Sequence, residues 1–274
     1  MATVAAPAIA GGRRVDHLSG TPRAHAIDRW IYVFTAASFI AIVLTGFIPA
    51  SLAKIAAVEA GQRPPFPLVL HMHAVLMGAF LLLLLTQTSL VAMGRCDLHR
   101  RLGVVAMVLV PALVLVGMVL VPTTYHGVWN QALSAPAEVR EQLQQLLLRL
   151  DNIMLLQWRI GILFPLFIAI ALQARKRDSG LHKRMMILAT AMPLPAGIDR
   201  IQWLPTTLPA SPLAPDLYVL LAIAPMFLWD IIRNRYVHRA YWIWLAINLP
   251  FAVVVHGLWN TDWWHATAPR LMGL

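Results

Sequence analysis

Four stretches of this 274-residue chain run for more than twenty residues each without an Asp, Glu, Lys or Arg: 30–53, 64–94, 102–137 and 240–261. Roughly 20 residues of helix cross the hydrocarbon core of a bilayer, so each stretch is long enough to span one. Lipid offers backbone amides and carbonyls no partner, so a span has to satisfy them internally, as a helix does. Only 12% of the residues are charged and 59% are hydrophobic. That is about half the charged share of a soluble domain, too little polar surface to cover a water-soluble fold.

The formal net charge is +10, which in a soluble protein would point to nucleic acid. Its placement argues against that. Fifteen of the 22 Lys and Arg residues fall into four groups. These are Arg13, Arg14, Arg23 and Arg29; Arg95, Arg100 and Arg101; Arg175, Lys176, Arg177, Lys183 and Arg184; and Arg233, Arg235 and Arg239. Short cytoplasmic loops carry such an excess, so the groups mark the inner face and no nucleic-acid partner is expected. The expected surroundings are the lipid bilayer of a bacterial inner membrane, with membrane-protein partners or further copies of the chain. The single cysteine, Cys96, rules out an internal disulfide and a thiolate metal cluster. The first ten residues are small and uncharged and the arginines follow them, reversing the order of a signal peptide. The first span is therefore expected to remain in the mature protein.

The pattern predicts an all-α, polytopic bundle of about seven spans, amino terminus inside and carboxyl terminus outside. Residues 1–29 read as a flexible leader and 30–274 as one transmembrane domain. Expected spans cover about 30–52, 67–93, 102–121, 153–173, 183–203, 213–232 and 240–259. Spans five and six are the least regular, since 183–203 contains Pro193, Pro195, Asp199 and Arg200. In the connection after span three, Val139, Leu143, Leu146, Leu147 and Leu150 fall on one helical face. Arg140, Glu141, Gln144 and Gln145 lie opposite, so a helix near 136–150 is expected to lie on the outer surface or cap the bundle.

A short motif repeats where inner loops enter the membrane: Leu98-His99-Arg100-Arg101, Leu181-His182-Lys183-Arg184 and, more loosely, Val237-His238-Arg239. One leading helix plus three such hairpins is the simplest architecture. His and Arg at a helix start fix its depth at the headgroups; the alternative is a shared inner metal or haem site built on His99, His182 and His238.

Counting along the spans puts another set of polar groups at similar depth near the outer boundary. His71 and His73 stand in span two, Arg159 in span four, Asp199 and Arg200 in span five and His256 in span seven, with His126 just beyond span three. Ionisable groups in a span face the bundle and pair or line a cavity. One of His71 and His73, which point about 200° apart on a helix, could join His256 or His126 as axial ligands of a b-type haem. Three imidazoles with an open position would suit a transition metal. Asp199 is expected to pair with Arg159 or to orient a ligating histidine. The same residues would also serve a hydrogen-bonded layer that only fixes packing. No phosphate loop, GxSxG elbow or HExxH sequence is present, so no enzymatic reaction is assigned.

The region 71–205 resembles a family of uncharacterised bacterial multi-pass membrane proteins. The resemblance rests on a helix that opens with His71 and ends near Gln87, and on Leu98-His99-Arg100-Arg101-Leu102-Gly103. It continues through His182-Lys183-Arg184-Met185, Arg200 and the Trp203-Leu204-Pro205 exit. It implies the fold and topology but no reaction. Three functions remain: a redox or accessory protein holding haem or a metal through His71 or His73 with His256; a small-solute or proton-coupled carrier using Asp199, Arg159 and Arg200; and a scaffold.

Overall fold

A computed structural model describes residues 15–19 and 24–274. Arg13, Arg14, Arg23 and most of the expected leader lie outside these residues. The described chain is helical throughout, without a strand. Six helical segments are long and apolar enough to cross a membrane: Ala26–Glu59, Leu68–Ala92, Cys96–Ser134, Ala137–Ala174, Leu213–Asn234 and Arg239–Leu258. We number the α-helices in chain order as α1 (Ala26–Glu59), α2 (Leu68–Ala92), α3 (Cys96–Leu102), α4 (Ala106–Ser134) and α5 (Ala137–Ala174). They continue as α6 (Ser179–Ala191), α7 (Pro195–Ile198), α8 (Leu213–Asn234), α9 (Arg239–Leu258) and α10 (Asp262–Leu271).

The expected fifth span differs from the other six. Helix α6 stops after 13 residues, about 20 Å at 1.5 Å per residue, short of the hydrocarbon thickness. Pro193 and Pro195 cause the stop, because each lacks an amide hydrogen and clashes with a continuing helix. Three turn residues bridge to the four-residue α7. Tertiary contact replaces the missing length. Met185, Ile187, Leu188, Ala189 and Ala191 are wholly buried, and α6 packs on α5, α9, α1 and α8. A short, broken helix therefore stands at the centre of α1, α5, α8 and α9. Beyond the break, α7 packs against α1 and α8. A Cβ at Gly46 would stand 2.0 Å from the Gly197 carbonyl oxygen, so the backbones of α1 and α7 meet where both residues lack a side chain.

The helix expected near 136–150 is not separate. Helix α5 runs unbroken for 38 residues, about 57 Å, nearly twice the thickness of the hydrocarbon core. Its first turns are the amphipathic segment, and their apolar face packs within the protein. Leu143, Leu147 and Leu150 meet Tyr125 and Ala132 of α4 and Trp264 and Ala268 of α10. His126, expected beyond a span, lies inside α4.

The antiparallel order brings the starts of α1, α6 and α9 together with the ends of α2, α5 and α8, and with α3. The described members of the basic groups meet here, and we call this the basic end. The opposite, distal end holds the loop 199–212, the start of α8 and α10.

Candidate functional site

At the basic end the centre is Arg184, which is 0% exposed. Its guanidinium donates to both oxygens of Asp16 at 2.8 Å and to Asp230 at 2.5 and 2.9 Å, and a further bond reaches the Gly180 carbonyl. Asn234 donates to Asp230 and Asp16 and accepts from the His17 amide. Lys183 donates to the Leu18 carbonyl and lies over the Tyr32 ring. Segment 15–19 is thereby tied into the bundle. A guanidinium has enough donors to serve two carboxylates at once, which an ammonium cannot match in geometry. Asp28, also buried, takes Arg233, the Trp229 indole N–H and the His25 amide. Asp178 caps α6 through the Leu181 amide and pairs with Arg239. Burial raises the Asp178 pKa, but those two partners outweigh it and hold the group below the usual carboxylate range.

His238 caps α9 by accepting the Ala240 amide at Nδ1, 3.1 Å away. Burial first, and the neighbouring Arg184 charge second, push its pKa down to about 4. The cap needs a neutral ring, so charge and hydrogen bonding agree. The two other members of the repeated motif meet across the bundle. His182 of α6 places Nδ1 2.8 Å from the Ala171 carbonyl, and its ring centroid stands 6.3 Å from that of His99 of α3. His238 belongs to the Arg184 cluster instead.

At the distal end, Arg159 is 5% exposed and donates to both oxygens of Asp216, at 2.6 and 3.1 Å. His256 Nε2 donates to the same carboxylate at 3.0 Å. Arg159 and His256 thus meet at one carboxylate, and it is Asp216 in the first turn of α8, not Asp199. Asp199 faces Arg149 at 3.4 Å instead and lines a cavity of about 70 Å³ with Gln202, Thr206 and Tyr218. Arg200 stacks on Phe47 and donates to the Ala196 carbonyl. His126 Nε2 bonds the Met272 carbonyl at 2.7 Å, a tie to the chain end. His71 packs edge-on to Phe66, and the His73 ring approaches Gly117. Helix α2 packs on α1, α3 and α4 whereas α9 packs on α5 and α6. His71 and His73 therefore stand on a different part of the bundle from His256. Among the described residues no group of three or more His, Cys, Asp or Glu is placed to hold a metal ion.

A second distal cluster escaped the sequence reading. Asp151 accepts from Tyr125 at 2.7 Å and from His265 Nδ1 at 2.9 Å, and its carbonyl accepts the Trp264 indole N–H. It locks α10 onto α4 and α5.

Between the two ends, Tyr241, Trp244 and Asn248 repeat at helical spacing along the buried face of α9. Trp244 Nε1 and Asn248 Oδ1 are buried without a hydrogen-bond partner, and the buried Tyr241 hydroxyl turns to the Asp230 carboxylate. The Tyr32 hydroxyl, above the Arg184 cluster, is buried without a partner as well. Burying an unpaired polar atom costs about 1–3 kcal/mol, so three such atoms, on Tyr32, Trp244 and Asn248, call for water or a ligand. Comparison with family models, with curated proteins and with solved structures returns no match.

Proposed function

We propose that this chain is a multi-pass protein of a bacterial inner membrane, basic end toward the cytoplasm, and that it provides a proton-linked passage along the inner face of α9. The orientation follows from the excess of Lys and Arg at that end. The reading is carried by one observation: buried polar atoms without a partner, on Tyr32, Trp244 and Asn248, follow one another from the Arg184 cluster into the interior along α9. Groups with spare hydrogen-bonding capacity hold water inside a protein, and a connected file of water and side chains hands protons on. Asp216 with His256 forms the distal mouth, where both side chains are partly open to solvent, at 18% and 34%. At the other end the passage meets the Arg184 cluster, where Arg184 and Asp230 are sealed and Asp16, 15% exposed, is the group that touches solvent.

At the same end as Asp216, the 70 Å³ cavity beside Asp199 admits a few waters, each of which needs about 10–15 Å³ of such volume. The broken α6–α7 axis supports the same reading, since membrane proteins place interrupted helices where they line a cavity or a transport site.

The test is proton flux in liposomes carrying the purified protein, a trapped pH-sensitive dye and an imposed potassium diffusion potential. The expected result is protein-dependent acidification that falls toward the empty-vesicle rate in Asn248→Leu and Asp216→Asn. A wild-type rate equal to that of empty vesicles would defeat the proposal and leave a scaffold role as the better account.

A further inference from the structure

The His99–His182 pair takes no part in the α9 line, and its surroundings ask for a ligand of their own. His182 commits Nδ1 to the Ala171 carbonyl, so the proton sits there and the Nε2 lone pair is free. A histidine oriented in this way by a backbone carbonyl is the usual form of a metal-ligating imidazole. His99 stands against the Gln87 carbonyl, yet its buried Nδ1 completes no hydrogen bond. Gln87 Oε1 is buried and unpaired too. The Gln87 amide lies over Gly103, one turn beyond His99, where a Cβ would be 3.5 Å from Nε2. Helices α3 and α6 thus bring two imidazoles together, and α2 brings Gln87, with its unpaired amide oxygen, alongside His99.

With metal–nitrogen bonds of about 2.0–2.1 Å, two imidazoles that share an ion hold their ring centres about 5–6 Å apart. The observed 6.3 Å is within a small rotamer adjustment of that. We propose that His99, His182 and the Gln87 side-chain oxygen bind one borderline first-row transition ion, of the zinc or copper type, with water completing its shell. Imidazole selects such ions, and with no carboxylate in the set the site does not suit calcium or magnesium. The nearby cations do not forbid it. Arg100 and Arg175 are exposed and screened by solvent, and Lys183 turns toward Leu18 and Tyr32. With two imidazoles rather than three, the site is a moderate binder. It joins the α3 turn to the central α6 and stands independently of proton passage.

The experiment uses the full chain, purified in detergent on a tag without histidine and stripped of metal, then titrated with Co²⁺ and Zn²⁺. One equivalent is expected to bind, with Co²⁺ giving visible ligand-field bands. His99→Gln and His182→Asn should each weaken binding at least ~10-fold, the loss characteristic of a damaged metal site, and Gln87→Ala by less. His182→Asn keeps a donor for the Ala171 carbonyl, and folding of each variant is checked by circular dichroism. His71→Ala should bind as the wild type does. No saturable binding by the wild type, or undiminished binding by a folded His99→Gln/His182→Asn double variant, overturns the assignment. Proton flux is read separately, so either proposal can fail alone.

Discussion

The two ends of the bundle each contain a buried arginine, but they use it differently. Arg184 is sealed from solvent and satisfied by two carboxylates, one of them from a segment more than 160 residues away in sequence. Arg159 has a single carboxylate, which is partly exposed and shared with a histidine. The sealed cluster fastens segment 15–19, α6 and α8 to one another; the open one leaves Asp216 and His256 partly exposed. Similar chemistry is thus closed off at one end and partly open at the other. The contrast predicts unequal responses to substitution. Removing one partner of a fully buried ion network costs about 3–5 kcal/mol because the remaining charges stay unpaired. Arg184→Met is therefore expected to lower thermal stability in detergent by that amount, while Arg159→Met costs about 1–3 kcal/mol, since Asp216 keeps His256 and some water. Equal losses would erase the distinction.

Acid should reveal the same asymmetry. His238 has its pKa depressed to about 4 by burial and by Arg184, against the opposing pull of Asp16, Asp230 and Asp178. The folded state favours the neutral ring, so the unfolded chain binds more protons between about pH 6.5 and 4. The stabilisation is fully present above pH 6.5 and is lost as the pH falls through that window, by up to about 3 kcal/mol. Unfolding of the wild type followed from pH 7 to 4 should show this loss, and His238→Asn, which keeps an oxygen acceptor for the Ala240 amide, should flatten it. An unchanged slope in that variant would place the acid sensitivity elsewhere.

The long spans were legible because charge-free length is a direct reading of what lipid tolerates, and the basic groups gave the two ends. The central segment was harder. Its prolines and charges were visible, but the burial that stabilises a short helix comes from neighbours distant in sequence. The amphipathic face at 139–150 was also visible; periodicity shows that a face is buried, not whether lipid or α4 and α10 cover it. In the distal site Arg159 and His256 were found by depth. Asp216 was missed because it lies four residues inside the start of a span, where an acidic residue reads as a helix-start signal. The Asp16–Arg184 pair had no local signal, since ion pairs across so many residues follow from the fold and not from spacing.

Between the ends, the α1–α7 crossing should tolerate little. A Cβ at Gly46 would meet backbone, not a mobile side-chain tip, so relief requires the two elements to separate. Gly46→Ala is expected to cost about 1–3 kcal/mol. Gly78→Ala, where nothing lies within 4 Å of the new carbon, should be neutral or slightly stabilising through helix propensity. Comparing their unfolding midpoints tests whether α7 is held by that close approach.

The smallest expected effect on stability separates access from assembly most sharply. Asn248 is buried at 8% exposure, and its side-chain oxygen has no protein partner. Replacing a buried polar group by an apolar one of similar shape is close to neutral when no partner is stranded, so Asn248→Leu should shift stability by less than about 1 kcal/mol. The same change makes one step of the α9 line apolar. If that line carries protons, flux falls while the unfolding midpoint stays put, the reverse of Arg184→Met, whose first effect is on the fold. Should Asn248→Leu destabilise the protein as strongly as Arg184→Met, the stripe belongs to the packing of the bundle, and its unpaired atoms are filled by structural water alone.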